Sequence, residues 1–221
     1  MKFIVLLQAR TNSTRLPRKV LMTIQNIPIV VLAYNRASNK GANVRVVTSK
    51  NNTDDTLAEI LKENKVPFFR GDLENTLKRF FDSLKKESDN TIVVRLTADN
   101  VFPDGDLIED VVEDFCKRKV NYLLCNGPKC GFPYGVSIEV TLVKFIREAF
   151  HNTTSAEDKE HVTPYISRKY GINYYKSKLD IPISDASCTI DTIDEYERIS
   201  EIFNSTENPN RVSVKELISL L

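Results

Sequence analysis

Residues 3–7 of this chain, Phe-Ile-Val-Leu-Leu, form an unbroken apolar run that stops at Gln8, and Arg10, Ser13, Arg15 and Lys19 follow at once. With no polar alternation, the run reads as a strand buried on both faces, the kind found inside a parallel sheet. Open α/β sheets hold their ligands just beyond the carboxyl ends of such strands. Cations placed there crowd positive charge into one crevice, which suits a polyphosphate. The stretch lacks the glycines of a Walker A or dinucleotide fingerprint. Phosphate contacts therefore have to come from side chains and from backbone amides near Ser13. Arg10 and Arg15 can each fork two phosphate oxygens, and Lys19 adds a compact charge. A solvated basic loop is the plainer alternative.

Strand and helix signals alternate through the first half. Pro28 suits the first turn of a helix over 28–38. A strand at 44–48 precedes a helix capped by Thr53 or Asp54, with Leu57, Ile60 and Leu61 inward. A third strand at 66–69 leads to a helix over 73–86. The fourth strand, 91–96, is apolar except for Arg95 and ends in Thr97-Ala98-Asp99-Asn100. A helix burying Leu107, Ile108, Val111, Val112 and Phe115 and a strand at 121–125 complete this half. Repeated β-then-α order predicts a three-layer α/β/α sandwich on a mainly parallel sheet.

After Asn126 a loop rich in glycine and proline breaks the rhythm. A strand at 136–141, a helix to about 150 and a second helix over 155–170 follow, the latter opened by Ser155 and Asp158 as a loose capping box. Strands at 173–178 and 187–190 precede helices at 193–203 and 214–220. With no repeat, low-complexity tract or linker, the expectation is one domain over 1–221 with an inserted lobe near 127–170.

The 221 residues are enough for a substantial core, and their net charge of +1 argues against a broad nucleic-acid surface. Four cysteines show no zinc spacing and read as thiols of a reducing cytosol. No run approaches a membrane span, and the apolar opening is too short for a signal peptide. A cytoplasmic protein with no membrane or nucleic-acid partner is expected.

Asp99 and Asp191 each follow a strand end on the same sheet edge as the cationic loop. Thr192 and Glu195 fit a capping box, which leaves Asp191 free of capping duty. Two such carboxylates suit a shared magnesium ion that also meets substrate phosphates; a turn-forming Asp is the plainer use of Asp99. His161 lies on a helix with Glu160 and Thr163 beside it, and a lone helical histidine is more often structural. His151 suits the end of its helix. Glu139 follows the glycine loop, facing either ligand or solvent; Tyr134 and Gly135 are placed to border a pocket, and turn chemistry explains the glycine equally well.

The segment Gln8-Ala9-Arg10-x-x-Ser13-x-Arg15-Leu16-Pro17-x-Lys19 resembles the nucleotide-binding loop of the spore-coat polysaccharide F type of cytidylyltransferase, relatives of the acylneuraminate (CMP-sialic acid) cytidylyltransferases. Five further matches keep the family's order: Arg70-Gly71-Asp72 with Arg79, Arg95 to Asp99, Gly135 to Glu139, Glu160 to Pro164, and Thr189 to Thr192. The resemblance runs from Phe3 to about Glu201. It implies a GT-A-like, Rossmann-related fold and an enzyme that transfers CMP from CTP to a sugar-acid, sugar-phosphate or phosphonate-type acceptor. Pyrophosphate would be released, for surface glycan or glycoconjugate synthesis. It implies nucleotide contacts from Gln8, Ala9, Arg10, Ser13, Arg15, Lys19, Arg79 and Thr97, with Arg15 and Lys19 also catalytic. Asp99 and Asp191 would be catalytic and hold Mg2+, and Asn100, Tyr134, Glu139 and His161 would lie towards the acceptor. A homodimer is also implied. Two departures stand out: Asn100-Val101 replaces Cys or Ser followed by Pro, and Asn75 replaces Asp.

Two other classes compete. A GT-A glycosyltransferase grips a nucleotide sugar through a DxD motif, whereas Thr97-Ala98-Asp99 lacks the first Asp. A non-catalytic nucleotide sensor or assembly subunit has no need of both Asp99 and Asp191.

Overall fold

A computed structural model describes residues 2–179 and 187–221. In chain order the elements are β1 (Phe3–Gln8), β2 (Thr23–Ile24), β3 (Ile27–Pro28), α1 (Ile29–Ser38), β4 (Asn43–Ser49), α2 (Asp55–Glu63), β5 (Phe68–Gly71), α3 (Thr76–Ser83), β6 (Ile92–Thr97) and α4 (Gly105–Arg118). They continue as β7 (Leu123–Cys125), β8 (Ile138–Leu142), α5 (Val143–Asn152), α6 (Ala156–His161), α7 (Pro164–Tyr170), β9 (Asn173–Tyr174), α8 (Ile193–Asn204) and α9 (Val214–Ser219).

Among the described residues seven strands form one sheet in the order β5-β4-β1-β6-β8-β7-β9, and β2 and β3 form a separate hairpin. β5, β4, β1 and β6 run parallel. β8 is antiparallel to both β6 and β7, and β9 is parallel to β7, so β8 alone is reversed. The chain leaves β1 towards β4 and β5, then returns past β1 to β6. That reversal is a topological switch point between β1 and β6, where open α/β sheets accommodate ligands.

Alternating side chains divide the core. Val5, Leu7, Val44, Val46, Val94 and Leu96 face α1, α2, α4, α8 and α9, while Ile4, Leu6, Val47 and Val93 face α3, α5 and α7. The mainly parallel three-layer architecture expected from the sequence is present. β8 belongs to the central sheet, and α5 to α7 complete the layer that α3 begins.

Several local expectations are corrected. Asp54 does not cap α2, because its carboxylate is engaged by Thr11 and Ser49. Pro28 stands just before α1 with extended ψ, closing the β2–β3 hairpin rather than entering the first turn. The Gln25–Asn26 turn of that hairpin has positive φ at both residues, a type I′ geometry with no glycine to announce it. The helix expected over 155–170 is two helices, α6 and α7, and Ser155 makes no side-chain cap. No strand forms at 187–190: that segment docks on loops instead, with Cys188 N–H donating to the Tyr134 carbonyl and Ile190 N–H to that of Asp99. Asn75 caps α3 by accepting from Lys78 N–H at 2.8 Å. Asn caps as well as Asp, so that departure leaves the helix intact.

Candidate functional site

A cavity of about 370 Å3 opens at the β1–β6 switch point. One wall is the loop after β1, with Arg10, Ser13, Thr14, Arg15 and Lys19. The floor is the sheet edge, with Gln8 at the end of β1 and Ala9 just after it, Arg95 and Thr97 from β6, and Ala98 and Asp99 just beyond β6. Glu160 and His161 approach from the end of α6, and Asp191 from just before α8.

Two of the acids meet at one ammonium. Lys19 Nζ donates to Asp99 Oδ2 at 2.8 Å and to Asp191 Oδ1 at 2.7 Å, and Arg15 Nη2 lies 2.8 Å from Asp191 Oδ2. Arg10 pairs with Glu160 at 3.3 Å across the mouth. The Lys19 side chain is 7% exposed and that of Arg15 67%. Lys19 is thus enclosed at the centre of the cluster, and Arg15 reaches Asp191 from the solvent side.

Asp191 reaches Asp99 through backbone docking. Ile190 N–H bonds the Asp99 carbonyl at 2.9 Å. The side chain of Glu195 then accepts from Asp191 and Thr192 N–H, and Thr192 and Glu195 complete the expected capping box. Gly135 lets this segment approach: with φ +99, a Cβ there would lie 2.8 Å from Thr189 N.

Two carboxylates within 2.8 Å of one cationic centre fit a magnesium ion that takes its remaining ligands from phosphates and water. Among the described residues no cluster of three or more His, Cys, Asp or Glu forms a closed metal cage. The donor set suits an ion completed by substrate.

The cationic loop is tied down by a buried acid that its sequence does not advertise. Asp54 accepts from Thr11 N–H at 2.8 Å, Thr11 Oγ1 at 2.7 Å, Ser49 N–H at 3.2 Å and Ser49 Oγ at 2.5 Å. Burial alone would raise its pKa, but these hydrogen bonds to the charged form outweigh that and hold it below the ordinary value. Thr11 thus anchors the segment between Arg10 and Ser13.

Beneath the floor lies a second polar network. Arg95 donates to Gln8 Oε1 at 3.1 Å through Nη2 and to Glu139 Oε1 through Nη1. Glu139 Oε2 also accepts from Tyr122 Oη at 2.8 Å and from Thr163 Oγ1. Burial, then the Glu139 charge, push the Tyr122 pKa well up, so the phenol remains a donor. Thr163 follows a γ-turn at Val162, which has φ 72 and ψ −51, closed by Thr163 N–H on the His161 carbonyl at 2.8 Å. This strained turn breaks the helix expected over 155–170 and leaves His161 at the cavity.

Gln8, Ala9, Arg10, Ser13, Arg15, Lys19, Thr97, Asp99, His161 and Asp191 thus line one cavity. Arg79, Asn100, Tyr134 and Glu139 do not. Arg79 is buried and donates to the Asp72 and Leu73 carbonyls at 2.9 and 3.1 Å. Burial lowers its pKa to about 10, which keeps it charged at neutral pH. Asn100 is buried, with no partner for its side-chain amide among the described residues. Tyr134 is 60% exposed, and Glu139 is buried under Arg95. Sequence reasoning assigned no role to Thr14, Arg95 or Glu160 in the lining. Arg95 carried a signal as the one charge within an apolar strand, and Arg95 and Glu160 both stand in runs that carry the family resemblance.

Comparison with known proteins follows the same architecture. A cytidylyltransferase from Leptospira borgpetersenii superposes with a TM-score of 0.88 at 29% identity, over 100% of this chain and 93% of that one. CMP:2-keto-3-deoxy-manno-octonic acid synthetase in complex with CTP shares the fold, with a TM-score of 0.70 at 16% identity over 92% of this chain and 99% of that one. The spore coat polysaccharide biosynthesis protein SpsF of Bacillus subtilis is 26% identical over 98% of this chain and 92% of its own. An uncharacterised protein of Methanocaldococcus jannaschii is 29% identical over 100% of this chain and 90% of its own. Residues 4–211 match the sequence profile of the cytidylyltransferases, a span holding every cavity residue named above, and the chain therefore belongs to that family of CTP-using nucleotidyltransferases.

Proposed function

We propose that this chain transfers CMP from CTP to a sugar-acid, sugar-phosphate or phosphonate-type acceptor and releases pyrophosphate. The observation that carries the reading is the convergence of Arg15, Lys19, Asp99 and Asp191 in one cavity at the switch point. Gln8, Ala9, Arg10, Ser13, Arg15, Lys19 and Thr97 hold the nucleotide, with Arg79 supporting it from beneath the surface. An acceptor oxygen attacks the α-phosphorus in line, the bond from that phosphorus to the bridging oxygen breaks, and pyrophosphate departs with the electron pair. The protein's task is positioning and charge neutralisation. Arg15 and Lys19 stabilise the charge that builds on the leaving pyrophosphate. Asp99 and Asp191 would hold Mg2+, which would supply further neutralisation of phosphate charge.

His161 serves the acceptor end of the cavity, whereas Asn100 and Tyr134, expected there from the resemblance, lie outside its lining. The name of the Bacillus subtilis relative supports a place in surface glycan or glycoconjugate synthesis. Work in the cytoplasm as a homodimer accords with this; no helix among the described residues is long and apolar enough to cross a membrane. The test is pyrophosphate release from CTP and magnesium with a panel of sugar acids, sugar phosphates and phosphonates. Release with one acceptor class supports the reading, and CTP binding without release for any of them contradicts it.

A further inference from the structure

Gln8 is the last residue of β1 and lies on the cavity floor. Its carboxamide has one oxygen and one nitrogen, and their placement decides whether the cavity meets an acceptor or a pair of donors. A guanidinium cannot accept a hydrogen bond. The atom 3.1 Å from Arg95 Nη2 is therefore the carbonyl oxygen, Oε1, which leaves Nε2 on the other side of the amide. Nε2 has no acceptor among the described residues and is not enclosed by protein.

What holds Arg95 lies outside the cavity. Leu6, Arg95 and Glu139 stand in register on β1, β6 and β8, and Gln8 is the next residue after Leu6 on the same face of β1. Glu139 takes Arg95 on one oxygen and both Tyr122 and Thr163 on the other. Anchored by two hydroxyls, the carboxylate cannot follow Arg95 if it moves. Among the described residues Arg95 Nε is buried without a partner, so there Glu139 and Gln8 are the side chains that fix the guanidinium.

We propose that Glu139 is a positioning residue of the nucleotide pocket: through Arg95 it locks the Gln8 carboxamide with Nε2 towards the cavity, where its two N–H groups receive an oxygen of the bound nucleotide. The proposal rests on the reading of the cavity as a CTP site. With the lock released, the amide turns freely and presents its own oxygen to an oxygen-rich ligand part of the time.

The test is a calorimetric titration of the full chain with CTP in magnesium chloride, for the wild type, Glu139→Gln, Gln8→Ala and the double variant. Glu139→Gln keeps the size of the side chain and one acceptor oxygen for Tyr122 and Thr163 but turns an amide donor towards Arg95, and thermal unfolding checks that each variant is folded. A hydrogen bond of ordinary strength sets the scale, so each single variant weakens CTP binding about fivefold. Because Glu139 acts through Gln8, the double variant binds within about twofold of Gln8→Ala rather than with the two losses multiplied. Gln8→Glu keeps the Arg95 bond but replaces the donors with a carboxylate oxygen, and it loses more than tenfold. Multiplying losses, or unchanged affinity in Gln8→Ala and Gln8→Glu, overturns the proposal while the CTP reading stands. No CTP binding by the wild type overturns that reading and this one with it.

Discussion

Lys19 bonds two carboxylates at once, so removing either acid leaves its ammonium still paired with the other. Asp99→Ala and Asp191→Ala are therefore expected to abolish pyrophosphate release while unfolding at nearly the wild-type temperature. Near-normal release by either variant contradicts the assignment. Asp54 acts on stability instead. Its folded pKa lies below the 3.8 of an unperturbed Asp, so the unfolded chain binds the proton first. Its contribution is complete above pH 3.8 and is lost as the pH falls through the lower folded value. Asp54→Asn is expected to cost about 2–3 kcal/mol at neutral pH, since an amide cannot accept all four donors. It should also flatten the stability loss below about pH 4. Denaturant melts at several pH values check both; an unchanged acid limb contradicts the first role of Asp54 as an anchored carboxylate.

At the scale of elements, the site depends on loops that approach closely. Gly135→Ala places a Cβ against Thr189, two residues before Asp191, at a φ that suits glycine. A loss of about 1–3 kcal/mol is expected, together with a higher KM for CTP, read from melts and initial rates. The regular elements were legible because apolar runs and helical periodicity mark them directly: residues 3–7 anticipated β1, and Thr192 with Glu195 anticipated the cap of α8. The breaks were not. Val162 is a β-branched residue in a γ-turn, which local propensity argues against; Thr163 and its bond to Glu139 hold it there. The 187–190 segment has strand composition but pairs with loop carbonyls of Tyr134 and Asp99, a tertiary choice that alternation cannot reveal. Cavity residues on the β1 loop were readable as a cluster. Glu139 and Asp54 became intelligible only once their distant partners were in place.

Across the whole molecule, one buried arginine ties the layers behind the site together. Arg36 on α1 donates to the Val101 and Phe102 carbonyls, at 2.6 and 2.8 Å, and to those of Pro209 and Val212, both at 2.8 Å. It thereby fastens the loop after Asp99 to the C-terminal segment. Burial lowers its pKa to about 10, still above neutrality, so it stays cationic in use. Arg36→Met leaves four buried carbonyls without that donor and is expected to cost about 3–5 kcal/mol, or roughly 10 °C in thermal midpoint for a chain of this size. The fold itself followed from β-then-α order, while the reversal of β8 within the sheet depends on pairings between distant strands. The central claim is a magnesium-dependent CTP site at the switch point, and thermal unfolding with CTP, UTP, ATP or GTP, each with and without magnesium, tests it most directly. A ligand at 100 times its dissociation constant adds about 2.7 kcal/mol to stability. An upward shift that is largest for CTP and needs magnesium is expected; equal shifts for all four nucleotides, or none with CTP, would rule out such a site.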